Sequence, residues 1–295
     1  MFRSLLVLFL FSASALGLVD MKVETVTRVQ SLGDNPFPNG SDEITIYVQG
    51  PNRREEMRAF VGRSPADPRM SPPHMATVQR CGERKGYEID LDNHEYIAEK
   101  LPHYPSDQEF QEAMAKARQN SVEKPHLPPN VRVESNTVDT GETQVLFGHT
   151  ARHFITTVKE TPLADLDWAA QEKTIDGWYF DMPEPEYSCW PPSMSALRSG
   201  EAFSVTMLTT GDKVNEIRPE IHHTGPKVPG FAVKVKIAIH DRKQINGQAV
   251  ESNQFIEREV VGFSEEPLSP SLFEPPPGFK KVSRLYQHSS DRSGK

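Results

Sequence analysis

The chain has 295 residues, 41 of them acidic and 33 Lys or Arg, for a formal net charge of −8. Its basic pairs, Arg53-Arg54 and Lys280-Lys281, are isolated; without clustered cations to neutralise phosphates, nucleic acid is excluded as a partner. Its 25 prolines, well above an average of roughly 5%, break helices and favour β-structure with long connections.

An export leader comes first. Arg3 precedes the apolar run Leu5-Leu6-Val7-Leu8-Phe9-Leu10-Phe11, and the small residues Ser12-Ala13-Ser14-Ala15 follow. The run is shorter than the roughly 20 residues of a membrane-crossing helix. Residues 1–17 therefore read as a signal peptide, cut after Ala15 or Gly17, rather than as an anchor. The expected location is periplasmic or secreted, with nothing left to span a membrane. In that compartment the two cysteines, Cys81 and Cys189, either bridge across a long loop or remain thiols. Neither has a neighbouring His or a Gly-rich helix start to hold a thiolate.

Beyond the leader the dominant period is two, the signature of strands with one wet and one buried face. Lys22 to Gln30 begins the series, followed by Ile44, Ile46 and Val48 alternating with polar residues, then Glu55 to Gly62 and Ala76 to Cys81. Tyr87, Ile89 and Leu91 alternate with Glu88, Asp90 and Asp92, and the pattern resumes at His94 to Glu99. This spacing predicts a hairpin turning at Asp92-Asn93, with Asp90 and Asp92 on its solvated face. Ser106-Asp107-Gln108-Glu109 matches a capping box and opens a helix to about Asn120, with Phe110, Met114 and Ala117 on one side. The loop 123–130 follows.

Further strands are expected at Glu142 to Phe147, Ala151 to Lys159, Thr174 to Phe180, Glu201 to Thr210 and Asn253 to Phe263, with a weak helical patch at Ala164 to Gln171. The clearest strand is Phe231, Val233, Val235, Ile237 and Ile239, alternating with Ala232, Lys234, Lys236, Ala238 and His240. Met182 to Ser195 and Glu265 to Gly278 are proline-rich loops or edge segments. Leu272 to Val282 reads as a terminal turn and short strand whose prolines protect a sheet edge. The organisation is one β-rich domain over residues 18–288 and a disordered tail at 289–295. Ten or more such runs make a mainly β (α+β) protein: a large curved antiparallel sheet or open half-barrel with one or two covering helices.

No nucleophile elbow, phosphate loop, dinucleotide fingerprint or His-Glu-x-x-His occurs. No catalytic residue, metal or cofactor is therefore assigned. His149 and His153 stand four apart, but His149 follows Gly148 and a turn there would separate them; a metal-dependent hydrolase centred on this pair is the lesser alternative. His222-His223 point oppositely on a strand. Asp176-Gly177-Trp178-Tyr179-Phe180-Asp181 is either a core strand with a Tyr edge or the lining of a groove.

Four stretches carry a resemblance. They are Val78-Gln79-Arg80-Cys81 leading into Gly86 to Leu91 and His94-Glu95-Tyr96, then Thr140-Gly141-Glu142 to His153. Asp176 to Tyr179 and Leu272-Phe273-Glu274 to Val282 complete the set. Together they resemble exported bacterial proteins similar in plan to the periplasmic lipoprotein carriers, in which a curved antiparallel sheet forms an open half-barrel around an apolar hollow. The prolines around Pro125 and Pro191 depart from that plan. The resemblance implies a fold and an envelope location, and transfers no active site. It makes an apolar or lipid ligand in the curved sheet the leading expectation, with Phe231, Val233, Val235, Ile237, Ile239 and Trp178 as its walls. A structural module without a ligand, or one that binds an envelope protein partner, is the alternative.

Overall fold

The computed structural model describes residues 20–33, 39–61, 73–103, 107–120, 128–163, 170–182, 189, 218–228, 230–245 and 248–285. The leader, Ser106, residues 164–169, the expected strand at 201–210 and the tail lie outside these residues. The strands are β1 (Met21–Gly33), β2 (Gly40–Gln49), β3 (Asn52–Val61), β4 (His74–Arg80), β5 (Lys85–Asp90) and β6 (Glu95–Lys100). One helix, α1 (Asp107–Asn120), intervenes before β7 (Val131–Leu146), β8 (His149–Pro162) and β9 (Ala170–Phe180). The series ends with β10 (Pro219–Thr224), β11 (Phe231–Ile245), β12 (Gln248–Ser264) and β13 (Lys280–Lys281).

All 13 strands form one open, curved sheet in the order β10-β7-β8-β9-β11-β12-β1-β2-β3-β4-β5-β6-β13. Every pairing is antiparallel except the two at the edges, where β10 lies parallel to β7 and β13 parallel to β6. Register shifts occur in β11, between Ala232 and Lys234, where β1 meets β12, at Glu24/Thr25, and where β7 meets β8, at Asp139/Thr143. Each inserts one or more extra residues and sharpens the local twist, which is how a sheet of this width bends.

The β11 bulge corrects the period read from the sequence. Phe231 stands opposite Phe180, Lys234 opposite Trp178 and Val235 opposite Gly177. Phe180 and Trp178 share a face of β9, so Phe231 and Lys234 share one face while Val235, Ile237 and Ile239 lie on the other. Phe231 and Val233 belong to a closed core with Val23, Ala151, Phe180 and Val260. An apparently unbroken alternation thus feeds two environments.

A second core forms where residues 265–285 cross β2 to β6. Phe273, in a 3-10 turn (Pro270–Phe273), packs with Ala76, Val78 and Ile89. Val282 N–H donates to Tyr96 O at 2.9 Å as the chain closes the β6 edge. The terminal turn and edge strand expected from Leu272 to Val282 are therefore both formed.

Other elements differ from expectation for local reasons. Asp90 is 3% exposed, not solvated. Its Oδ1 accepts from Asp92 N–H and Asn93 N–H, and its Oδ2 from the Asn93 side chain, so it organises the turn. Strand β7 begins at Val131, well before Glu142, because Val131, Val133, Ser135 and Thr137 alternate buried with exposed neighbours. Gln108, Glu109 and residues 111–116 of α1 are exposed and Phe110 is half-buried. Among the described residues the helix therefore buries at most Phe110 against anything. Cys81 and Cys189 are joined in a disulfide with Cα atoms 5.3 Å apart.

Candidate functional site

The two faces of the central strands offer different chemistry. On one, a cross-strand row runs Thr156, Ile175, Ile237, Ile256 and Val29, each directly opposite the next through β8, β9, β11, β12 and β1. Val158, Lys173, Ile239 and Gln254 form the row below, and Phe154, Gly177, Val235 and Arg258 the row above. Ile175, Ile237, Ile239, Ile256 and Val29 are half-buried. They take no part in the two cores above, nor in a third core formed by Val131, Val133 and Val158. Val235, 7% exposed, closes one end of this strip.

Gly177 lets the strip pack tightly. A Cβ there would fall 2.6 Å from the ring of Tyr179, which lies over it and meets Phe154 edge-on at 6.0 Å. Gly177→Ala is expected to cost about 1–3 kcal/mol through this overpacking, measured by denaturant unfolding; an unchanged midpoint would refute the contact. Burial, and secondarily the Asp176 charge, push the Tyr179 phenol up to about 12. Its contribution to stability is intact below the ordinary phenol value of roughly 10 and is lost as pH rises through about 12. An ultraviolet titration of Tyr179→Phe against the native chain should lose the latest phenol to ionise.

The opposite face carries the core around Phe180 and Phe231 at one end and is polar beyond it. His153, Trp178 and Lys234 form one cross-strand row with Glu259, and Ile155, Asp176, Lys236 and Glu257 the next. A recess of about 270 Å³ is lined by His153, Asp176, Trp178, Lys234 and Lys236. The His153 and Trp178 rings stack at 4.7 Å and 18°. His153 Nε2 lies 2.9 Å from Asp176 Oδ1. A carboxylate only accepts, so Nε2 carries the hydrogen, while Nδ1 lies 3.0 Å from the Thr140 hydroxyl oxygen and 3.5 Å from Glu142 Oε2. Both lysines are engaged across the sheet, Lys234 with Glu259 at 3.3 Å and Lys236 with Glu257 at 3.4 Å. With its groups already paired, the recess reads as a satisfied polar surface.

The sequence-derived residues therefore separate into three places. Val235, Ile237 and Ile239 lie on the apolar strip. Phe231 and Val233 are sealed in a core, and Trp178 sits on the polar face. Ile175, Ile256 and Val29 were missed, because their strands look half-polar alone and only pairing register aligns them. The turn expected beside Gly148 is formed at residues 147–148, but β8 already starts at His149, so His149 and His153 do share a face, contrary to the separation expected. Their partners differ: His149 rests against Phe180 and Phe263 and reaches Glu265 at 3.3 Å. Among the described residues no three His, Cys, Asp or Glu side chains converge as metal ligands.

No family model matches the chain, and no curated protein does. A solved structure described as lipid-protein interactions in lipovitellin aligns with 85% of this chain at 8% identity and a TM-score of 0.26. The chain spans 26% of that protein's chain. A likeness this slight carries no argument about ligand or ancestry.

Proposed function

We propose that this is an exported envelope protein that binds an apolar or amphipathic ligand, such as a lipid chain, along the strip through Ile175, Ile237, Ile256 and Val29. The observation that carries this reading is that these aliphatic side chains stand in register on one face of a curved sheet and join no core. Half-buried aliphatic groups in a continuous row gain roughly 25 cal/mol for every Å² a ligand removes from water. The export reading rests on the Arg3 to Ala15 leader pattern and is supported by the Cys81–Cys189 bridge, since disulfides persist in oxidising compartments. A likeness in plan to the periplasmic lipoprotein carriers belongs to the same proposal.

Solvent extraction of the purified protein followed by mass spectrometry, together with uptake of a fluorescent fatty acid, tests the reading. Native protein is expected to carry or take up lipid. Ile237→Asp, which places a charge in the middle of the strip, should weaken uptake by about tenfold or more, with a melting curve confirming that the variant is folded. Protein that extracts empty and takes up no probe would refute it.

A further inference from the structure

The two edges of the sheet are guarded unequally. At one, β13 is two residues long, carries Lys280 and Lys281 and follows Pro275-Pro276-Pro277, features that discourage strand addition. At the other, β10 has six residues and pairs, among the described residues, with β7 alone. Five of the six are exposed, Ile221 at 52%. Backbone phase shows which groups face outward. Arg218 O accepts from Asn130 N–H at 3.0 Å and Val131 N–H at 3.4 Å. In a parallel ladder alternate residues turn both N–H and C=O to the partner. Arg218, Glu220, His222 and Thr224 therefore face β7, and Pro219, Ile221 and His223 turn their backbone groups away.

We propose that this edge pairs antiparallel with the same edge of a second copy of the chain, about a two-fold axis through Ile221. On that axis the two Ile221 residues exchange both N–H···O bonds, and each His223 N–H donates to Pro219 O of the other copy. The missing N–H of Pro219 stops the ladder there. Glu220 then stands directly opposite His222 of the second copy, and the reverse, in non-hydrogen-bonded pairs where side chains approach most closely. Such an isologous contact places acid against imidazole twice. Moving the axis to Pro219 or His223 loses both pairings. The His222 and Arg132 side chains already hold the Glu220 carboxyl below the usual carboxylate range, so the acid enters the contact charged. Five paired residues on each chain fall short of the roughly 1,600 Å² of a standard stable interface, so the dimer is weak and concentration-dependent.

Sedimentation equilibrium of the purified chain from ~1 μM to ~1 mM, which spans weak association, tests this. A monomer–dimer equilibrium is expected. H222E, which sets two carboxylates face to face, should weaken it about tenfold or more, and E220K combined with H222E should restore it. Ile221→Pro should abolish dimerisation with an unchanged circular dichroism spectrum, because the N–H it removes points away from β7, the only strand that β10 pairs with among the described residues. A chain that stays monomeric to ~1 mM, or a dimer indifferent to both H222E and Ile221→Pro, overturns the proposal.

Discussion

Replacing Phe273 by alanine is expected to lower the unfolding free energy by about 3–5 kcal/mol, the range for truncating a fully buried aromatic. The ring is 1% exposed and fills the space between Ala76, Val78 and Ile89. Its backbone is pinned from both sides and cannot collapse into the void. Leu272 O accepts from Arg54 Nη1 at 3.0 Å, Leu268 O from Gln49 Nε2 at 2.7 Å, and Leu268 N–H donates to Asp20 Oδ2 at 2.7 Å. Beyond the ring, Glu274 receives the Tyr87 hydroxyl at 3.0 Å and pairs with Arg80. Denaturant unfolding of Phe273→Ala and Phe273→Leu distinguishes cavity from contact. Leucine should recover more than half of the loss, and a loss below about 1 kcal/mol for alanine would show that residues 265–285 do not act as the cover of this core.

That cover illustrates what a single sequence reveals. Leu272 to Val282 was legible because a 3-10 turn, a proline run and two lysines are local signals that need no partner to be read. The strands were legible for the same reason: alternation is written residue by residue. Pairing order was not. Nothing in Met21–Gly33 says that it neighbours Gln248–Ser264, and the strip through Ile175, Ile237, Ile256 and Val29 exists only once four distant strands are in register. The bulge at Val233 hid for a related reason, since one inserted residue leaves the hydrophobic sequence unchanged while turning Phe231 and Val235 to opposite faces. Asp90 was misplaced because polarity alone assigns a carboxylate to solvent. Three hydrogen bonds from Asp92 and Asn93 make its burial tolerable.

Cys81→Ser or Cys189→Ser is expected to cost about 4–5 kcal/mol, because the bridge joins residues 108 apart in sequence and removes a long loop's closure entropy from the unfolded chain. For a chain of this size the melting temperature should fall by roughly 10 °C. Cys81 follows β4, Cys189 lies beyond the end of β9, and β11, β12, β1, β2 and β3 stand between those strands in the sheet. The disulfide therefore joins Cys189 to the end of β4, which stands across five strands from β9 in the sheet order. Thiol titration of the unfolded chain without reductant should find no free cysteine. Reduction of the folded protein should lower its melting point to that of Cys81→Ser. A reduced protein that melts within about 2 °C of the oxidised one would show that the bridge takes little closure entropy from the unfolded chain.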